Sequence, residues 1–119
     1  GMNDAVERCK AYLASGADGI MIHSRQEDGK EILEFCKQYQ EFGAGCPLIV
    51  VPSSFDRITE TEFKNAGVNI VIYANHMLRA AYPAMVDVAK TILQNERCFD
   101  VRSKCLSIKE ILEMIPGTK

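Results

Sequence analysis

No apolar stretch in this 119-residue sequence approaches the length of a membrane-spanning helix. The longest runs, residues 48–51 and 70–74, fall far below the roughly 20 residues that a span requires, so no membrane partner is expected. Charge of one sign is equally scarce. Lys and Arg number 14 against 16 Asp and Glu, a formal net charge of -2, so no basic field points to nucleic acid, and an anionic ligand would have to be held by local geometry. The five cysteines, Cys9, Cys36, Cys46, Cys98 and Cys105, include no C-x-x-C pair. That pattern suits reduced thiols in a cytoplasm better than a disulfide framework or a zinc site. There is no glycine-rich phosphate loop, G-x-S-x-G elbow or H-E-x-x-H pair. The start, Gly1-Met2-Asn3-Asp4, lacks a basic region followed by an apolar core, so it does not read as a secretory signal, and Gly1 reads as an expression scar.

What is present is core material: 47% of residues are apolar, enough for one domain over 1–119. Val6, Cys9 and Leu13 follow a helical period over 4–15, with Asn3 as the expected cap and Gly16 as terminator. The apolar triplet Ile20-Met21-Ile22 reads as a strand that ends in His23, Ser24, Arg25 and Gln26. Ile32, Leu33, Phe35, Cys36 and Tyr39 predict a helix over 29–42, ended by Gly43, Gly45 and Pro47. Residues 48–51, apolar throughout, predict a buried parallel strand that Pro52 closes.

Thr59 and Glu62 form a capping box for a short helix through Ala66, and the third strand is expected over 69–73. A long helix follows over 77–93, where Pro83 predicts a kink or a break. Residues 98–106 read as irregular. Ser107 and Glu110 form a second capping box, opening a terminal helix over 108–114 with Pro116 and Gly117 past its end. The junction Ser15-Gly16-Ala17-Asp18 repeats as Ala66-Gly67-Val68-Asn69, as consecutive strand–helix units require. The expected class is therefore α/β, with about three parallel strands, flanking helices and two unpaired sheet edges.

His23-Ser24, Pro52-Ser53-Ser54 and Ala74-Asn75-His76 each follow a predicted strand. In a parallel sheet these loops share one rim, where sites are assembled. An imidazole, hydroxyls and an amide there would donate hydrogen bonds to a small carboxylate- or phosphoryl-bearing anion. The ordinary alternatives stay open: Ser53 and Ser54 as turn residues, Asn75 as a helix cap, His76 as a first-turn surface residue, and Arg25 and Arg79 as solvated cations.

In order, residues 17–24 (ADGIMIHS), 48–53 (LIVVPS) and 71–80 (VIYANHMLRA) resemble the C-terminal part of phosphoenolpyruvate mutase and phosphonopyruvate hydrolase, members of the isocitrate lyase superfamily. The resemblance implies part of a TIM (β/α) barrel and a Mg2+-dependent enzyme acting on phosphoenolpyruvate or phosphonopyruvate. It also implies a homo-oligomer in which a late helix packs on a neighbouring subunit. It assigns His23 to the substrate's anionic groups; Ser24, Ser53, Asn75 and His76 are substrate-binding candidates by strand-end position. The family's acidic metal ligands, mobile loop and clamping arginine belong to segments expected to be missing here. No Asp or Glu directly follows any of the three strands, so no metal ligand is expected in this chain, which alone would be inactive. A non-enzymatic α/β binding or assembly module and a hydrolase-like fragment are the alternatives.

Overall fold

Helix and strand alternate through the first 74 residues: α1 (Met2–Ala14), β1 (Ile20–Ile22), α2 (Lys30–Phe42), β2 (Leu48–Val50), α3 (Glu60–Asn65) and β3 (Ile70–Val71). The computed structural model describes residues 1–43, 45–115 and 117; the expected stop at Pro116 lies outside them. These residues form two units, Gly1–Ala74 and Asn75–Lys119.

In the first unit the strands pair in the order β1-β2-β3, all parallel. Ile20 lies beside Leu48, and Met21, Ile49 and Ile70 line up across the three strands. Alternation along each strand sends these two sets to opposite faces. Leu48 and Val50 are fully buried, packed with Ile20 against Ile32, Phe35, Cys36 and Tyr39 of α2, Val6 and Cys9 of α1, and Phe63 of α3. The opposite face carries the row Met21, Ile49 and Ile70, and it lies open: Met21 is 59% exposed and Ile70 46%.

The repeated glycine junction has one hydrogen-bond pattern at both sites. Gly16 and Gly67 take left-handed φ values of 87° and 86°, a conformation without steric cost only for glycine. At the first, Ala17 N–H donates to the Tyr12 carbonyl at 3.1 Å and Gly16 N–H to Leu13 at 3.0 Å. At the second, Val68 donates to Phe63 and Gly67 to Lys64, both at 3.0 Å. This is the Schellman closure, which turns each helix end back under the sheet.

Several boundaries differ from expectation. Helix α1 starts at Met2, with Gly1 rather than Asn3 at the cap position, because Met2 and Ala5 pack against the core and draw the first turn in. Strand β3 spans only Ile70–Val71 instead of 69–73, as suits an edge strand, although Ile72 N–H still reaches the Val50 carbonyl at 2.9 Å. The Thr59–Glu62 capping box is complete. One buried group is satisfied unusually: Leu48 N–H donates to the Asn69 side-chain oxygen at 2.8 Å. Replacing Asn69 by Ala would strand that donor under a fully buried strand, so a loss of about 1–3 kcal/mol is expected, read as a lower urea midpoint.

In the second unit, α4 (His76–Asn95) runs through Pro83 without interruption. The proline removes a single N–H, and the neighbouring ladder bonds carry the helix across it. Residues expected to be irregular form a 3₁₀ helix, Phe99–Lys104. Asp100 holds its start, accepting from Arg97 Nε at 2.8 Å and Asn95 Nδ2 at 3.1 Å, and Lys104 pairs with Asp87 of α4 at 2.6 Å. Helix α5 (Ile108–Met114) opens on the complete Ser107–Glu110 capping box. Among the described residues, no helix is long and apolar enough to cross a membrane.

Candidate functional site

Because β1 and β2 are parallel neighbours, the loops that leave their carboxyl ends emerge on one rim. His23 heads the first loop and Ser53 the second. Two residues beyond Ser53 is Phe55, fully buried, whose ring lies 5.7 Å from the His23 ring at 52° and 6.2 Å from Phe63 at 79°. The two loops are thus joined through an aromatic contact that reaches into the core. The imidazole is exposed on its other side, where it and Arg8 line clefts of about 190 and 260 Å³ between α1, β1 and α2.

Ser24 points inward. Among the described residues it is the only buried polar one, 6% exposed. Its hydroxyl donates to the Glu31 carboxylate in the first turn of α2 and accepts from Gln26 N–H at 3.1 Å. A hydroxyl has one proton, and here it is committed to Glu31. Past the loop, Asp28 accepts from Lys30 N–H at 3.1 Å, a bond that holds its carboxyl below the ordinary range. Gly29 enters α2 at φ 70°.

Ser53 is half-buried in a tight turn, its N–H donating to the Val51 carbonyl at 2.8 Å. Asn75 and His76 begin the second unit. Asn75 occupies the cap position of α4, where its carbonyl accepts from Arg79 N–H at 2.9 Å, but its side chain makes no capping bond, unlike the capping alternative considered from the sequence. Arg25 and Arg79 are exposed. Reasoning from the sequence missed Phe55, Glu31 and Arg8. An aromatic residue after Ser53-Ser54 was a usable signal for the first; nothing local marks the other two.

The donors on the first unit's rim suit an anion and not a hard divalent cation. They are an imidazole and hydroxyls; of the nearby carboxylates Glu31 accepts from Ser24 and Asp28 from Lys30 N–H, and among the described residues no three metal-ligating side chains come together. Magnesium takes carboxylate and water oxygens in an octahedron, a set that these residues do not supply.

The cysteines divide by burial. Cys36 is fully buried and its thiol is pushed up to about 11 by that burial, and burial also raises Cys9, with Cys46 adding to the effect. Cys98 and Cys105 are exposed. Only the thiolate reacts, and a rise from the ordinary 9.0 to about 11 leaves Cys36 about a hundredfold less of it before access is considered. Alkylation at pH 8 followed by peptide mass mapping is expected to label Cys98 and Cys105 first and Cys36 last.

Comparison with known proteins places this arrangement. Residues 1–93 match the family model described as phosphoenolpyruvate phosphomutase. The chain is 33% identical over 114 residues to a phosphoenolpyruvate phosphomutase of Tetrahymena pyriformis, covering 96% of this chain and 37% of that one. It is 39% identical over 115 residues to a phosphonopyruvate hydrolase of Variovorax sp. (strain Pal2), covering 96% and 39%. Among solved structures, a phosphoenolpyruvate phosphomutase from Streptomyces platensis subsp. rosaceus superposes with a TM-score of 0.86 at 29% identity, over 95% of this chain and 38% of that one. A phosphonopyruvate hydrolase in complex with oxalate and Mg++ gives 0.82 at 38% identity, over 96% and 40%. The chain therefore spans less than two-fifths of the length of these curated relatives. With three parallel strands, their helices and this match over most of its residues, the chain belongs to the phosphoenolpyruvate phosphomutase family.

Proposed function

We propose that this chain is the C-terminal portion of a (β/α) barrel enzyme that interconverts phosphoenolpyruvate and phosphonopyruvate, and that His23 contacts the anionic groups of that substrate. The observation that carries the reading is the position of His23: at the carboxyl end of β1, exposed on one side and backed by Phe55 on the other. Two features support the barrel. Among the described residues both outer strands have an unpaired edge, and the row Met21, Ile49 and Ile70 is apolar although it lies open. A barrel interior covers such a row with side chains from the other strands. Ser53, Asn75 and His76 are the further substrate-binding candidates. Ser24 serves His23 indirectly, through the loop it braces.

Mg2+ in this reading is held by carboxylates outside this chain. Without them phosphoryl transfer loses its main electrostatic stabilisation, and the chain alone is inactive. Helix α5 supports a homo-oligomer, since Ile108 and Met114 are 76% and 69% exposed and apolar surface of that kind is normally covered. Five unpaired cysteines favour a cytoplasmic setting. A phosphonopyruvate hydrolase-like function is the second reading, favoured by the 39% identity to the Variovorax protein.

The test is a titration of the 119-residue chain with phosphonopyruvate, following the His23 ring resonances by NMR, and 31P spectra with added Mg2+. Saturable shifts at His23 without turnover are expected. An unmoved His23 signal would remove the substrate contact; measurable turnover would overturn the inactivity.

A further inference from the structure

We propose that Glu31 is a positioning residue, which fixes the substrate-facing loop at residues 23–26 to the protein core by accepting the Ser24 proton. The proposal rests on the functional reading of His23 above.

Burial of Ser24 requires partners for its hydroxyl, because an unsatisfied polar group inside a protein is costly. It has two, one within the loop and one beyond it: Gln26 N–H, two residues on, and the Glu31 carboxylate, seven residues on. A bond to an ionised acceptor is stronger than one between neutral groups. What makes it a brace is the anchorage of Glu31. The next residue, Ile32, is 1% exposed, and Phe35 and Cys36 on the same helix are 2% and 0% exposed. The carboxylate therefore belongs to the most firmly packed helix of the first unit, whereas His23 itself is exposed. His23 is adjacent to Ser24 in the chain, so a fixed Ser24 restricts the imidazole's direction, and Phe55 restricts its tilt. Pre-ordering a contact group in this way lowers the entropy lost when ligand binds.

Ser24 thereby stands apart from the ligand donors. Its proton is taken, so its contribution to binding passes through loop geometry, and Ser24 and Glu31 act as one unit.

Glu31→Ala, Glu31→Gln and Ser24→Ala variants of the full chain decide the matter, with phosphonopyruvate as the probe. For Glu31→Ala, amide exchange at Gln26 is expected to rise and phosphonopyruvate affinity to fall, each about tenfold, with exchange at Leu48 and Val50 unchanged. Glu31→Gln keeps an acceptor oxygen and is expected to restore both readouts to within about threefold of the original. Ser24→Ala, which also removes the acceptor of Gln26 N–H, should lower affinity as Glu31→Ala does and raise Gln26 exchange at least as far, and the double variant should lose no more affinity than Ser24→Ala alone. Unchanged exchange and affinity in Glu31→Ala would overturn the proposal, as would a parallel loss of protection at Leu48 and Val50, or failure of the Gln variant to restore. Should the unsubstituted chain show no phosphonopyruvate-induced shift at His23, the substrate reading fails by itself, and the brace is then decided by Gln26 exchange alone.

Discussion

Phe55→Ala is expected to remove about 3–5 kcal/mol of stability, the usual loss when a buried aromatic ring is truncated. The ring is fully buried and packs edge-on against Phe63 while its other contact is the tilted His23 ring. The first unit comprises 74 residues, and at roughly 0.05–0.15 kcal/mol per residue its total stability is of the same order as the loss. Urea denaturation should therefore show the variant with a much lower midpoint than the original chain. Phe55→Leu separates the two roles of the ring: it keeps apolar volume and should cost less than about 1.5 kcal/mol, yet it abolishes the aromatic support of His23. A folded Leu variant whose His23 resonances stay as sharp as before would show that the ring does not orient the imidazole.

Gly29→Ala comes next in expected size, at about 2–5 kcal/mol. Part of this is conformational, since φ 70° costs a residue with a Cβ about 1–2 kcal/mol. The rest is steric. A Cβ at this position would meet the Ile58 side chain, 2.9 Å from Cγ1 and closer still to Cδ1, and overpacking of that kind costs about 1–3 kcal/mol. Ile58→Ala made in the Gly29→Ala background should return the steric share and leave the conformational one. Equal stability of Gly29→Ala and the original chain in urea would show that the loop can shift without loss, which would also weaken the case for a fixed rim.

Both substitutions act on the short stretch where core becomes site, and that is where local reasoning reached its limit. The helix stops at Gly16 and Gly67 were legible because a left-handed closure needs glycine whatever surrounds it. The two capping boxes were legible for the same reason: donor and acceptor lie three residues apart, and both boxes are complete. Strand β2 declared itself by a run of apolar residues that a buried parallel strand requires. Pro83 does not break its helix, because one missing N–H leaves the neighbouring ladder bonds of a 20-residue helix in place. Asn75 misled in part, since occupying a cap position does not oblige its side chain to cap.

By itself the sequence determined the α/β alternation, the position of His23 at a strand end, the two capped helices and the family resemblance, all of which depend on residues close together in the chain. Tertiary structure alone decided that the strands pair in the order β1-β2-β3, that the Phe55 ring meets that of His23, and that Ser24 gives its proton to Glu31. The reason is physical. A hydrogen bond between a loop and the next helix, or a ring against an imidazole from the neighbouring loop, depends on how separate segments pack, and no local periodicity encodes that distance.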